Sequence, residues 1–238
     1  MMKLSVLMPV YNEHQWIEQI IQKVLAQKIS GIDGIELIVV DDASVDGTRD
    51  ILKQLAVKYA QIRLTLHEIN QGKGAAIRTA VQKMTGDICI IQDADLEYDP
   101  SDYPLILEPI ISGRADVVYG SRFVGSRSKR VLFFWHMIGN KFLTLLSNMC
   151  TNLNFTDMET CYKAFRCELL KSIPLRCERF GFEPEITAKI ARRKCRIYEV
   201  GISYSGRTYA EGKKITWRDG LKAILTILKF WFVDDSRH

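Results

Sequence analysis

Up to residue 121 the chain alternates between two hydrophobic periods, and this limits its fold more than any other feature. Runs of strand length rich in Val, Ile and Leu occur at 3–10 (KLSVLMPV), 35–42 (IELIVVDD), 62–68 (IRLTLHE), 87–93 (DICIIQD) and 115–121 (ADVVYGS). Between the first pair, Trp16, Ile17, Ile20, Ile21, Val24 and Leu25 recur at helical spacing. Between the second pair, Ile51, Leu52, Leu55, Ala56 and Tyr59 do the same. Strands alternating with helices imply an α/β fold with a mostly parallel sheet covered on both faces. The second half reads as an apolar segment over 127–153, a helix over 183–194, a last strand over 196–204 and a helix over 216–233. No repeat or low-complexity linker divides the chain. The expected organisation is one Rossmann-like domain over 1–210, containing the 127–153 segment, followed by an amphipathic helix and tail over 211–238.

In such sheets ligands bind beyond the carboxyl ends of the strands, and the polar clusters of this chain fall there. The first strand runs into Pro9-Val10-Tyr11-Asn12-Glu13 and the second into Asp41-Asp42-Ala43-Ser44, with Asp46-Gly47-Thr48 opening a helix. A helix cap needs one such residue, not five. In NQGKGAAIRTA (70–80), Gly72 and Gly74 flank Lys73 before a helix, an arrangement that lets a phosphate approach backbone N–H groups. In IIQDADLEYDP (90–100) an apolar run passes straight into Asp93, Asp95, Glu97 and Asp99. Extended residues alternate sides, so Asp93 and Asp95 are expected on one side, with Glu97 if the strand continues. Their repulsion calls for a cation, and Mg²⁺ or Mn²⁺ takes such oxygen ligands together with substrate phosphates.

The bulk composition adds little. Hydrophobic residues make up 47 % of the chain and the net charge is +5, enough for a real core and compatible with an anionic ligand or a membrane surface. Nucleic acid is not an expected partner. Cys89, Cys150, Cys161, Cys167, Cys177 and Cys195 contain no CxxC pair, so reduced, buried thiols of a cytoplasmic protein are expected. No signal-peptide layout and no apolar run of transmembrane length is present, so no transmembrane helix is expected. His14, His67, His136 and His238 show no metal-ligand spacing and receive no role.

Taken in order, SVLMPVYNE, IVVDDASVDGT, NQGKGAAIRTA, DADLEYDP, GSRF (120–123), FTDMETCYKAFR (155–166) and RTYAEGKKITWRDG (207–220) resemble the family-2 glycosyltransferases of GT-A fold. The likeness is to the bacterial and archaeal dolichol-phosphate mannosyltransferase-like branch in particular. It implies inverting, metal-dependent transfer of a sugar from a UDP- or GDP-sugar to a polyprenyl or dolichyl phosphate, with Mg²⁺ or Mn²⁺ as cofactor. By motif position, Pro9, Tyr11, Asn12, Glu13 and Asp42 would line the nucleoside pocket with Asp41 beside it, and Asp93 and Asp95 would hold the diphosphate through the metal. Glu97 stands where these enzymes often have Gln. Many members also carry C-terminal transmembrane helices, and none is expected here. Arg122, Arg207, Lys73 and Lys213 are candidate phosphate partners, and Arg suits that task through its fork.

Asp157 stays open. It is a base for a hydroxyl acceptor, a group that orients the acceptor or an arginine, or the cap of a helix over 158–167. The rival activities are transfer to a soluble sugar or protein hydroxyl and a sugar nucleotidyltransferase. Two apolar stripes bear on the acceptor. Val131, Phe134, Trp135, Ile138, Phe142, Leu145, Leu146 and Met149 follow Arg127, Lys129 and Arg130. Leu221, Ile224, Leu225, Leu228, Trp231 and Phe232 lie beside Arg218, Lys222 and Lys229. Such helices suit the headgroup boundary at the cytoplasmic face of a membrane, or else they pack on the core or in a homo-oligomer.

Overall fold

The computed structural model describes residues 2–125, 127–131, 133–179, 181–208, 211 and 217–232. Strands β1 (Met2–Val10), β2 (Ile32–Asp41), β3 (Ile62–Leu66), β4 (Ile88–Ile91), β5 (Val117–Ser121), β6 (Lys163–Arg166) and β7 (Ile197–Gly201) form one sheet in the order β3-β2-β1-β4-β6-β5-β7. β6 runs antiparallel to β4 and β5, and the other pairs are parallel. Every residue of β4 and β5 is buried. Successive strand residues point to opposite faces, so both faces of the sheet are covered there, as the strand–helix alternation requires. Pro9 is tolerated in β1 because pairing with β4 stops at Leu7↔Ile91, short of it.

Helix α1 (Ile17–Leu25) buries Ile17, Ile20, Ile21 and Val24, the stripe read from the sequence. Helix α2 (Thr48–Lys58) lies against β3, α3 (Lys73–Lys83) against β1 and β2, and α4 (Tyr103–Ile111) against β5, β6 and β7. Helix α5 (Phe134–Thr151), the short α6 (Cys167–Lys171), α7 (Phe182–Ala191) and α8 (Trp217–Phe232) complete the described elements. α5, α7 and α8 pack on one another. The expected boundary at residue 210 falls among 209–216, of which only Glu211 is described. All six cysteines are free, with Cys89, Cys161 and Cys167 buried and the other three part-exposed.

The sequence reading missed β6. Its KAFR segment holds two cations and only two apolar residues, yet Lys163 is wholly buried, with Nζ 4.8 Å from the centre of the Tyr119 ring and bonded to Thr160 O. The apolar stripes also separate from the packing. In α8 the buried residues are Ala223, Ile227 and Phe230, whereas Leu225 is 67 % and Phe232 76 % exposed. In α5, Phe134, Phe142, Leu145 and Met149 are exposed and Trp135 is 78 % so. Core packing therefore leaves most of both stripes uncovered.

A second correction concerns Gly72 and Gly74. What comes close to them is the chain's own 177–179 backbone. A Cβ on Gly74 would lie 2.2 Å from Cys177 O, and one on Gly72 2.5 Å from Glu178 O. Glu178 O accepts from Ala75 N (3.0 Å), so this loop caps α3. The loop is held in turn by buried Glu185, whose carboxylate accepts from Arg176 N and Cys177 N at 2.7 Å each. Gly72 also sits at φ +94°, which disfavours any side chain. Gly74→Ala is thus expected to lower stability by about 2–4 kcal/mol. Chemical denaturation measures it, and an unchanged midpoint would show that the loop moves aside freely.

Candidate active site

β1 and β4 are neighbours, and the strand order reverses between them, so the crevice beyond their carboxyl ends is a topological switch point. Beyond β1, Tyr11 is exposed. Asn12 takes φ 52° and ties the β1 and β2 ends together, its N–H donating to Ser44 Oγ and its Oδ1 accepting from Val45 N, both at 2.9 Å. Asp41 and Asp42 turn inward. Asp41 accepts from Arg49 Nε (2.8 Å) and Ser44 N (3.3 Å). Asp42 accepts from Gly72 N (2.6 Å) and Gln71 N (3.0 Å) and lies 2.7 Å from His67 Nδ1. His67, given no role from sequence, continues to Thr79 Oγ1 at 3.0 Å. Of the residues expected to line a nucleoside, Tyr11 is open, Pro9 is half-buried, and the two aspartates brace the loops behind them.

Beyond β4 the expected extended alternation does not occur. The strand stops at Ile91 and residues 93–98 turn, so the carboxylates part company. Asp93 Oδ1 lies 2.9 Å from Lys73 Nζ, which also reaches Glu183 Oε1 at 3.2 Å. Burial alone would raise the Asp93 pKa, but Lys73 holds it below the ordinary carboxylate range. Asp95 Oδ1 accepts from Glu97 N (3.0 Å), and Oδ2 accepts from Arg207 Nη2 (2.6 Å). The same guanidinium donates to Glu13 Oε2 from Nη1 (3.2 Å) and to Glu13 Oε1 from Nη2 (3.4 Å). Glu97 Oε1 accepts from Arg207 N at 2.7 Å. Three carboxylates from two strand ends therefore surround Arg207.

Asp93, Asp95 and Glu97 do not form one ligand set. Among the described residues no group of three or more His, Cys, Asp or Glu is placed to hold a metal ion. Asp95 with Glu97 nevertheless suits a cation held mainly by substrate oxygens, since Mg²⁺ commonly takes one or two carboxylates plus phosphates. Burial, followed by the charges of Asp93 and Glu97, pushes the Asp95 pKa up to about 7 against the pull of Arg207. That crowding is relieved by added positive charge.

The other half of the site follows β5. Arg122 forks onto fully buried Asp157, with Nε to Oδ2 at 2.6 Å and Nη2 to Oδ1 at 2.7 Å, and its own N–H donates to Oδ2 at 3.0 Å. Residues after Asp157 form turns and then β6, so the capping reading fails. Of the readings left open, the geometry assembles the one in which Asp157 orients an arginine. Glu199 on β7 accepts from Thr156 N (2.9 Å) and Asp157 N (3.1 Å) and fixes this segment from one side. Tyr204 joins the two halves. Its ring centre lies 5.2 Å from the Arg122 guanidinium, while its hydroxyl donates to Glu97 Oε2 at 2.9 Å. Glu199, Tyr204 and Asn140 were missed from sequence. Polar residues on an otherwise apolar helix were the available signal for Asn140, and the other two had none. Lys213 lies outside the described residues.

A mostly parallel sheet with a switch-point crevice, carboxylates beyond β1 and β4 and an arginine fork beyond β5 is an arrangement of GT-A type. The Glycosyl transferase family 2 model matches residues 5–173, and the chain belongs to that family. It is 26 % identical over 214 residues to a dolichol-phosphate mannosyltransferase of Pyrococcus furiosus, covering 89 % of this chain and 59 % of that protein. It is 28 % identical over 224 residues to an undecaprenyl-phosphate mannosyltransferase of Micrococcus luteus, covering 89 % and 87 %. Against another relative, an undecaprenyl-phosphate 4-deoxy-4-formamido-L-arabinose transferase of Aeromonas hydrophila, the chain spans 62 % of the length at 27 % identity. Among solved structures it resembles glucosyl-3-phosphoglycerate synthase of Mycobacterium tuberculosis, crystallised with Mn²⁺, UDP and glucosyl-3-phosphoglycerate. The TM-score is 0.74 at 22 % identity, with 99 % of this chain and 82 % of that chain covered. This last likeness bears out the expected fold.

The raised Asp95 pKa carries a pH dependence. An acid whose folded pKa lies above its unfolded value binds more protons in the native state, so stability falls as pH rises between the two values. For Asp95 the window runs from 3.8 to about 7. The free protein is expected to lose stability across that interval and to level off above it, with Asp95→Asn flattening the decline. Thermal midpoints at pH 5 and pH 8 test this, and parallel slopes in both proteins would refute it.

Proposed function

We propose that the protein transfers a sugar with inversion from a UDP- or GDP-sugar to a polyprenyl or dolichyl phosphate, with Mg²⁺ or Mn²⁺ as cofactor. The observation that carries this reading is the pairing of Arg122 with Asp157. A hydroxyl acceptor needs a base to take its proton, and here Asp157 is buried and already accepts three bonds from Arg122, so it serves as the partner of that arginine. A phosphate acceptor arrives anionic and needs an oriented cation. Arg122 provides that, held by Asp157 and lying beside the Tyr204 ring.

In the proposed reaction an acceptor phosphate oxygen bonds to the anomeric carbon from the face opposite the diphosphate. The bond from that carbon to the diphosphate oxygen breaks, and its electron pair leaves with the nucleoside diphosphate. Positioning and charge neutralisation supply the acceleration. Tyr11 and Pro9 border the nucleoside, Lys73 and Arg207 face the diphosphate, and Asp95 with Glu97 would hold the divalent ion, which neutralises the leaving group. Lys213 belongs to the proposed donor side by motif position alone.

The acceptor's lipid places the reaction at a membrane surface. Among the described residues no helix is long and apolar enough to cross a membrane. Instead α5 and α8 present exposed Phe134, Trp135, Phe142, Leu145, Leu225, Trp231 and Phe232, with exposed Lys141, Lys222 and Lys229 on the same two helices. Aromatic and apolar residues next to cations match the boundary of an anionic leaflet, where each cation adds about 1 kcal/mol.

Three outcomes are expected. Labelled UDP- and GDP-sugars should yield nucleoside diphosphate in a manner dependent on both a polyprenyl phosphate and Mg²⁺ or Mn²⁺. Asp157→Asn should lower turnover by roughly 10²-fold while calorimetry shows donor affinity within a few-fold. Release of pyrophosphate, or loss of donor binding in the variant, would overturn the reading. In flotation, wild type should rise with anionic vesicles and Trp231→Glu/Phe232→Glu should rise less. Wild type remaining in the soluble fraction would remove the membrane from the reading.

A further inference from the structure

The segment carrying Asp157 hangs from the inner face of α5. Asn140, Thr144 and Asn148 follow at intervals of four residues, one per helical turn, and so share a face. Each grips residues 155–158. Asn140, its amide oriented to satisfy both neighbours, donates to Asp157 Oδ1 at 3.3 Å and accepts from Arg122 Nη2 at 2.7 Å. Thr144 Oγ1, 3 % exposed at its residue, accepts from Met158 N at 3.2 Å. Asn148 bonds Phe155 twice, donating to its carbonyl at 2.7 Å and accepting from its N–H at 3.1 Å. Nearly opposite on the same helix stand Trp135, Ile138, Phe142, Leu145 and Met149, all exposed. An 18-residue helix thus has an exposed apolar face and a polar face holding the arginine fork.

A helix is stiff, so whatever seats its outer face also seats its inner one. We propose that the Asn140–Thr144–Asn148 ladder makes these three residues positioning residues for the Arg122–Asp157 pair, and that seating α5 on an anionic lipid surface through its outer face speeds sugar transfer through this ladder. The inference rests on the membrane reading above. Seating removes rocking of α5, and with it the misplacement of Arg122 relative to the acceptor phosphate. The gain therefore appears in kcat for transfer rather than in the donor KM, because Tyr11, Lys73 and Arg207 lie on other segments.

The probe is a short-chain isoprenyl phosphate that stays in water, so that vesicles do not deliver the acceptor. Nucleoside diphosphate release is followed with and without vesicles of mixed phosphatidylglycerol and phosphatidylcholine. Wild type is expected to gain roughly 10-fold in kcat with vesicles, donor KM unchanged. Thr144→Val, which keeps the shape but removes the acceptor of the Met158 N–H, should float like wild type and lose the gain. Thr144→Ser should recover it. Asn140→Ala should float and respond as Thr144→Val does, and circular dichroism and the donor KM verify that both are folded. If wild type does not float, the membrane reading and this coupling fall together. If it floats but gains nothing, or if Thr144→Val keeps the full gain, the coupling alone is overturned and the membrane reading stands.

Discussion

Carboxylates crowd the carboxyl edge of this sheet, and the fold beyond it is arranged around their neutralisation. Glu13, Asp95 and Glu97 meet Arg207, Asp93 and Glu183 meet Lys73, and Asp157 meets Arg122. Each cation comes from a different segment of the chain from its partners. Arg207 is 112 residues from Asp95 and 194 from Glu13. Charge neutralisation is therefore also the tether that brings the segment after β7 across the crevice. Removing one partner would leave a buried charge without compensation, which costs several kcal/mol. Each pair is therefore expensive to break by removing one partner.

The sequence shows the sheet clearly because buried parallel strands read as unbroken apolar runs. β1, β2 and β4 were visible for that reason. β6 was not, since its burial depends on Lys163 finding the Tyr119 ring and a backbone carbonyl, and no local pattern records that. The site was legible as a set of residue types at strand ends, but their pairing was not. Alternation correctly describes a strand, and it failed for Asp93, Asp95 and Glu97 because β4 ends two residues before the first of them. The glycines of NQGKG were read as room for a phosphate, whereas the structure fills that room with the 177–179 backbone. Glycine reports close approach and says nothing of what approaches.

Tyr204 shows how the two halves communicate without a shared ion pair. Its ring lies against Arg122 and against Tyr98, whose ring centre is 5.3 Å away, and Tyr98 accepts Cys161 N on its hydroxyl. Tyr98 stacks in turn on Tyr162 at 4.7 Å, and both Tyr162 and Tyr103 donate to Gln92 Oε1. Gln92 directly follows β4, so a packed aromatic column connects the root of the acidic turn to the arginine fork. Aromatic pairs of this kind are each worth about 0.5–1.5 kcal/mol beyond their buried area, enough to hold the crevice wall in one arrangement.

The halves differ in their charge balance, and the difference bears on the chemistry proposed. On the proposed acceptor side Asp157 and Arg122 cancel one for one, so the guanidinium is fixed in orientation and its charge is balanced within the pair. On the donor side Glu13, Asp95 and Glu97 carry three negative charges against the one of Arg207 when all are ionised. Burial first, and then the charges of Asp93 and Glu97, push the Asp95 pKa upward. In the proposed reaction a nucleoside diphosphate would add further negative charge to this same place. Desolvated like charges within a few ångströms repel strongly at the effective dielectric of a protein surface, by several kcal/mol for each close pair. Protonating Asp95 removes only one charge, and only at acidic to neutral pH. A divalent cation held by Asp95 and Glu97 would offset two of these charges, as the proposed need for Mg²⁺ or Mn²⁺ requires. On these grounds the proposed donor half, though its described residues form no three-carboxylate cage, accords with the proposal that substrate and cation bind there together.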